Sequence, residues 1–158
     1  MVIVFLLSIL LNLPNLVLAE KPEFFNLTPQ KTLPGDTFYS LKRFKEKVKM
    51  KLTFSSREKV RYGILIFEKR LSELTSLVDK KDAIYLESSA QRFAAQAGFL
   101  TDLASAGDKE MKESVASYFK AYKPILEKLR DNYPANYAYW LSIQQDIDSL
   151  DILSERLK

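Results

Sequence analysis

Apolar residues recur along most of the chain at alternating intervals of three and four, the period of α-helices buried along one face. The longest register is Val60, Ile64, Phe67, Leu71, Leu74 and Val78, which predicts a helix ending at Asp79-Lys80-Lys81-Asp82. Ser55 and Glu58 have the spacing of a capping box and mark its start. A third helix is predicted over roughly 82–106, with Leu86, Ala90, Phe93, Ala97, Leu100 and Ala104 inward and Gly107 as a stop. Two helices joined by so short a turn must lie antiparallel. With the turn near residues 80–81, Gly63 and Gly98 fall at one height of this hairpin. A glycine inside a helix costs about 1 kcal/mol against alanine, so the pair predicts a close crossing, supported by Ala90, Ala94, Ala95 and Ala97.

The first helix is expected from Asp36 or Thr37, either of which can cap it, to about Leu52. Its apolar positions Phe38, Leu41, Phe44, Val48 and Leu52 form a stripe at helical spacing and are expected to pack on the bundle. A fourth helix follows Asp108, with Met111, Val115, Tyr118 or Phe119, Tyr122, Leu126 and Leu129 inward; Pro124 is expected to kink or split it. After the break at Asp131-Asn132-Tyr133-Pro134, a last helix runs through Tyr137, Trp140, Ile143, Ile147, Leu150 and Leu157. No segment reads as a strand and no internal repeat appears. The fold class is all-α, an antiparallel bundle of four to five helices.

Upstream, MVIVFLLSILLNLPNLVLA is an uncharged apolar run closing on Val17-Leu18-Ala19, with small residues at the two places where a signal peptidase reads them. The expected organisation is a signal peptide over 1–19, a linker over 20–35 holding three prolines and a glycine, and a helical domain over 36–158. Asn12, Pro14 and Asn15 interrupt the run, which makes it poor as a membrane span; an uncleaved anchor is the alternative. No Lys or Arg precedes it, a departure from the usual signal pattern. The expected location is extracytoplasmic, secreted or envelope-associated.

Composition narrows the chemistry. The 158 residues suit one domain, and a net charge of +4 is too mild to mark a nucleic-acid protein. There is no cysteine and no histidine, which removes thiolate zinc sites, thiol nucleophiles and the commonest general base. Four scattered glycines write no phosphate-cradling loop. From this composition no enzyme, cofactor or metal site is expected.

Leu33-Pro34, Phe38-Tyr39, Leu41-Lys42, Glu46, Leu52-Thr53-Phe54, Lys59 and Arg70-Leu71-Ser72-Glu73 together give a distinctive pattern. Over about residues 33–105 the chain resembles a bacterial extracytoplasmic family known only as domain of unknown function 5667. Family members carry Ser-Pro before the aromatic pair, where this chain has Asp36-Thr37. The resemblance implies an exported or membrane-attached helical domain and carries no catalytic residues.

Charge supplies the functional lead. From Lys42 to Arg61 nine basic residues face two acidic ones, a local +7 that leaves −3 for the remainder. Lys42, Arg43, Lys45, Lys47, Lys49 and Lys51 are the candidate anionic-surface residues, against an anionic membrane, a wall polymer or an envelope protein. The competing explanation is a solvated face on a packed helix. Asp148, Asp151 and Glu155, with Asp146 nearby, are expected to form a solvated acidic face. Tyr133, Tyr137, Tyr139 and Trp140 are expected to pack with their polar tips at the rim, a ligand platform being the alternative. The functional expectation is an exported, non-enzymatic binding or interaction domain at the bacterial cell envelope. The alternatives are a structural or oligomerising helical module without ligand, with Gly63 and Gly98 setting its crossing, and an anchored membrane protein.

Overall fold

The computed structural model describes residues 27–158, so the expected signal peptide at 1–19 and the linker as far as residue 26 lie outside the described residues. Among the described residues there are five helices and no strand: α1 (Tyr39–Leu52), α2 (Ser56–Asp79), α3 (Leu86–Ser105), α4 (Lys109–Arg130) and α5 (Ala138–Glu155). Helices α2 to α5 form a bundle in which the backbones of α2 and α5 stay apart, while α1 lies outside with its backbone close to α2 alone. None of these helices is long and apolar enough to cross a membrane.

The periodic registers of α2, α3 and α4 are buried as expected. Phe67 of α2 sits at the centre, its ring 4.8 Å from Phe93 and 5.2 Å from Phe119. Side-chain caps set two of the helix starts. The Ser55 hydroxyl accepts from the Glu58 N–H at 3.5 Å, and the Asp108 carboxylate from the Met111 N–H at 2.9 Å. That backbone bond, with Arg57 second, holds the Asp108 carboxyl below its ordinary range.

Several expectations change. Helix α1 starts at Tyr39, behind an N-cap Phe38 that offers no side-chain bond, because Asp36 is engaged elsewhere. Leu33-Pro34-Gly35-Asp36 closes a turn in which the Asp36 N–H donates to the Leu33 carbonyl at 3.0 Å and the Leu33 N–H donates to the Asp36 carboxylate at 2.6 Å. Gly35 has φ +99°, as the third residue of a type II turn requires, and a Cβ there would lie 2.5 Å from the Tyr85 ring. Leu33 and Pro34 are buried, and Ser72 donates to the Thr28 carbonyl at 2.8 Å, so residues 27–35 pack on the domain instead of linking to it. Pro124 does not split α4, which is continuous, with the proline on its exposed side. Tyr137 is exposed, because it is the N-cap of α5 and precedes the packed turns.

The two hairpin glycines part company. A Cβ on Gly63 would meet Leu100 Cδ1 at 2.9 Å, so α3 does press on α2 there, and Gln96 donates to the Gly63 carbonyl at 3.1 Å. A Cβ on Gly98 meets nothing within 4 Å. The rotation of α3 that buries Ala97 and Thr101 turns Gly98 to the side.

Asp146 also departs from expectation. It is 2% exposed inside the bundle, and its Oδ2 has no hydrogen-bond partner. Burial alone pushes its carboxyl up to about 8. Its neighbours in sequence stay at the surface: Asp148 accepts from Gln144, Asp151 from Lys123 and Glu155 from Lys158.

Two outcomes follow from these positions. Gly98→Ala is expected to raise the unfolding free energy by about 0.5–1 kcal/mol and Gly63→Leu to lower it by about 1–3 kcal/mol, measured by urea titration. Between the ordinary carboxyl range and about pH 8 the folded state holds an Asp146 proton that the unfolded chain has lost. Its stability contribution is therefore full in acid and is lost as pH rises to about 8. Asp146→Asn should flatten the loss of stability across that window and melt higher than wild type at pH 8, by calorimetry.

Candidate functional site

The first helix carries the candidate residues, and its docking on α2 sorts them. At about 100° per residue, Tyr39, Lys42 and Glu46 fall on one face, and this face meets α2. Glu73, 1% exposed, is the acceptor at the centre. Tyr39 Oη donates to its Oε2 at 2.9 Å, while Lys42 Nζ and Arg70 Nη1 donate to its Oε1 at 2.7 and 2.6 Å. Arg70 also donates through Nη2 to Glu46 Oε2, and Lys69 Nζ lies 3.8 Å from Glu46 Oε1. Lys42 adds bonds to Gln30 and to the Thr32 carbonyl.

Lys42 and Arg70 answer the two carboxylates, with Lys69 at the edge. Burial would lower the Arg70 guanidinium, but the Glu73 and Glu46 carboxylates outweigh it and raise it. Tyr39 is raised by burial first and by Glu73 second. The Arg92 guanidinium covers the Tyr39 ring at 5.5 Å.

With that face inward, the apolar stripe points to solvent, roughly 130° away around the helix at its 100° step. Phe38 is 69% exposed, Phe44 64% and Leu52 66%, with Leu41 and Val48 also exposed and Phe54 standing beyond the helix end. The expected packing of this stripe is therefore overturned. The α2 surface opposite α1 offers Arg70, Glu73 and Lys69, and only the polar side of α1 can satisfy them.

The six candidate cations do not converge. Lys42 is a structural ion-pair partner, its side chain 18% exposed. Lys45 and Lys49 flank one edge of the stripe, with Lys49 Nζ 4.7 Å from the centre of the Tyr62 ring. Arg43, Lys47 and Lys51 flank the other side and line a cleft of about 380 Å³ between α1, α2 and α3. Glu46, the one acidic residue of α1, is turned inward and paired. Sequence reasoning missed Arg70, Glu73 and Arg92 as partners of this helix. The lone Glu46 amid lysines was the available signal.

The aromatic group near Pro134 divides as well. The Tyr133 and Tyr139 rings meet at 5.5 Å, Arg130 covers Trp140 at 5.4 Å, and Tyr137 stands apart in solvent. At the far end of the bundle a groove of about 900 Å³ runs between α4 and α5. The carboxylates on its rim, Glu113 and Asp151, sit against Lys109 and Lys123 at 3.5 and 2.6 Å.

A family model described as domain of unknown function (DUF5667) matches residues 31–156. The chain belongs to this family. The match reaches past the expected 33–105 to take in α4 and α5, so the DUF5667 unit here includes the Leu33-Pro34 turn, the outlying helix and the whole bundle. No curated protein and no solved structure matches the chain.

Removing one partner of a buried ion pair costs about 3–5 kcal/mol. Arg70→Met should therefore strand Glu46 and Glu73 and free α1 first. Hydrogen exchange is expected to show amides of residues 42–52 losing protection while those of α3 and α4 keep theirs.

Proposed function

We propose that this DUF5667 domain is exported and rests on an anionic membrane surface at the bacterial cell envelope through α1, as a non-enzymatic binding module. The observation that carries this reading is the solvent-facing stripe of Phe38, Leu41, Phe44, Val48 and Leu52 between rows of lysine. A helix with an apolar face and cationic edges suits the boundary between headgroups and acyl chains, where the side chains bury and the lysines meet phosphates. The charge pattern argues for lipid over a protein partner of mixed charge: every charged side chain on the exposed side of α1 is basic, since Glu46 is held inward.

The apolar run at 1–19 supports the same reading from the sequence, as an export signal or an anchor that keeps the domain near a bilayer. Burying an exposed phenylalanine or leucine is worth about 1.5–3 kcal/mol, and a lysine near an anionic surface about 1 kcal/mol. Several of each suffice for reversible attachment.

The test is co-sedimentation with vesicles of phosphatidylglycerol and phosphatidylcholine. Wild type should bind phosphatidylglycerol vesicles in a salt-sensitive way and pure phosphatidylcholine weakly. Phe44→Asp with Leu52→Asp should weaken binding at least about tenfold, while Lys45→Glu with Lys49→Glu removes the salt sensitivity. A wild-type protein that ignores anionic vesicles, or that buries the stripe in a stable dimer, would sink the reading.

A further inference from the structure

The cleft on the other side of α1 has a composition of its own. Its floor is apolar, with Ile66 from α2, Met50 from α1, and Ala95 and Phe99 from α3. Phe99 is 42% exposed, a large ring left uncovered beside the opening. Around this floor stand Arg43, Lys47, Lys51 and Arg92, none of which forms an ion pair among the described residues. The carboxylate of Glu46, also at the wall, is committed to Arg70 and Lys69, so it does not answer these four charges.

Arg92 is the informative member. Its Nη2 donates to the hydroxyls of Ser88 and Ser89 at 2.9 and 3.0 Å and its plane lies over Tyr39. These contacts hold the guanidinium in place, yet its buried Nε donates to nothing. Fixed guanidinium and mobile ammonium groups together suit a phosphate, whose two charges a single carboxylate does not match. The apolar floor suits a hydrocarbon chain attached to it.

We propose that the α1–α2–α3 cleft binds a phosphate-headed amphiphile, its head held by Arg92, Arg43 and Lys47 and its chain laid over Ile66 and Phe99. The row Arg43, Lys47 and Lys51 divides the cleft from the exposed stripe, and the floor of the cleft, Ile66 and Phe99, comes from α2 and α3, outside the stripe. The shared chemistry is a phosphate ester with an apolar tail, from a membrane lipid or from a soluble ester.

The experiment titrates the full chain with decyl phosphate below its micelle concentration, followed by amide chemical shifts. Saturable binding with shifts across residues 43–51 and 92–99 is expected, and inorganic phosphate should bind at least about a hundredfold more weakly because it lacks the tail. Arg92→Met and Phe99→Ser should each weaken decyl phosphate at least about tenfold, whereas Leu41→Asp, on the part of the stripe farther round the helix from Arg43 and Lys47, stays within about twofold. Phe99 is exposed enough for its variant to fold even where Arg92→Met does not. Dihexanoyl phosphatidic acid identifies the source: tighter binding than decyl phosphate marks a lipid, and weaker binding a soluble ester, both within the proposal. Binding unaffected by either cleft variant, inorganic phosphate binding as tightly as decyl phosphate, or no saturable binding at all would overturn it. Loss of vesicle binding in Leu41→Asp with decyl phosphate binding intact separates this site from the attachment surface.

Discussion

The carboxylate of Glu73 is the constraint from which the outer layer of this domain is built. A buried carboxylate is tolerable only when donors and opposite charge surround it. Glu73 receives Tyr39, Lys42 and Arg70, and Arg70 in turn needs Glu46. Tyr39, Lys42 and Glu46 all belong to α1, so satisfying one residue of α2 fixes the rotation of the whole first helix. Everything exposed on α1 is exposed because this face is not.

Such docking is selective in geometry more than strong in net energy. Desolvating the ions offsets much of their attraction, and the apolar stripe of α1 leans on no other helix. The bundle α2–α5 is held differently, by Phe67, Phe93 and Phe119 and the leucines around them. The molecule thus combines an apolar core whose cohesion is independent of α1 with an outer helix held by charge. That division leaves the exposed apolar stripe on the element whose position is set by polar groups.

Much of the bundle was legible in the sequence because burial there follows one period on each helix. Val60 to Val78 and Met111 to Leu129 have no competing register, and Ser55 and Asp108 announce helix starts through capping chemistry that acts locally. Asp36 looked like the same kind of cap, but the Leu33 amide claims it first. Gly98 resembled Gly63 only in spacing, and spacing does not say which way a helix is rotated by its neighbours. Asp146 gave no warning, since its place among Asp148 and Asp151 is polar in sequence and its burial is decided by the turn of α5 against α3 and α4.

The candidate site was legible as a helix and illegible as a face. Two stripes on α1 share the helical period: Phe38, Leu41, Phe44, Val48 and Leu52 on one side, and Tyr39, Lys42 and Glu46 on the other. Periodicity alone favours burying the first, by the ordinary worth of apolar surface. The second wins because α2 presents a buried glutamate and arginine to it, and leaving those unmet costs more than leaving five apolar side chains in water. An exposed stripe of this size is unusual for a domain that acts alone. The same polar clamp that turns the stripe outward also turns Arg43, Lys47 and Lys51 toward α3, where Arg92 and Phe99 stand. One buried carboxylate thereby gives this helix two adjoining surfaces, an apolar ridge edged by basic residues and a cationic cleft against α3.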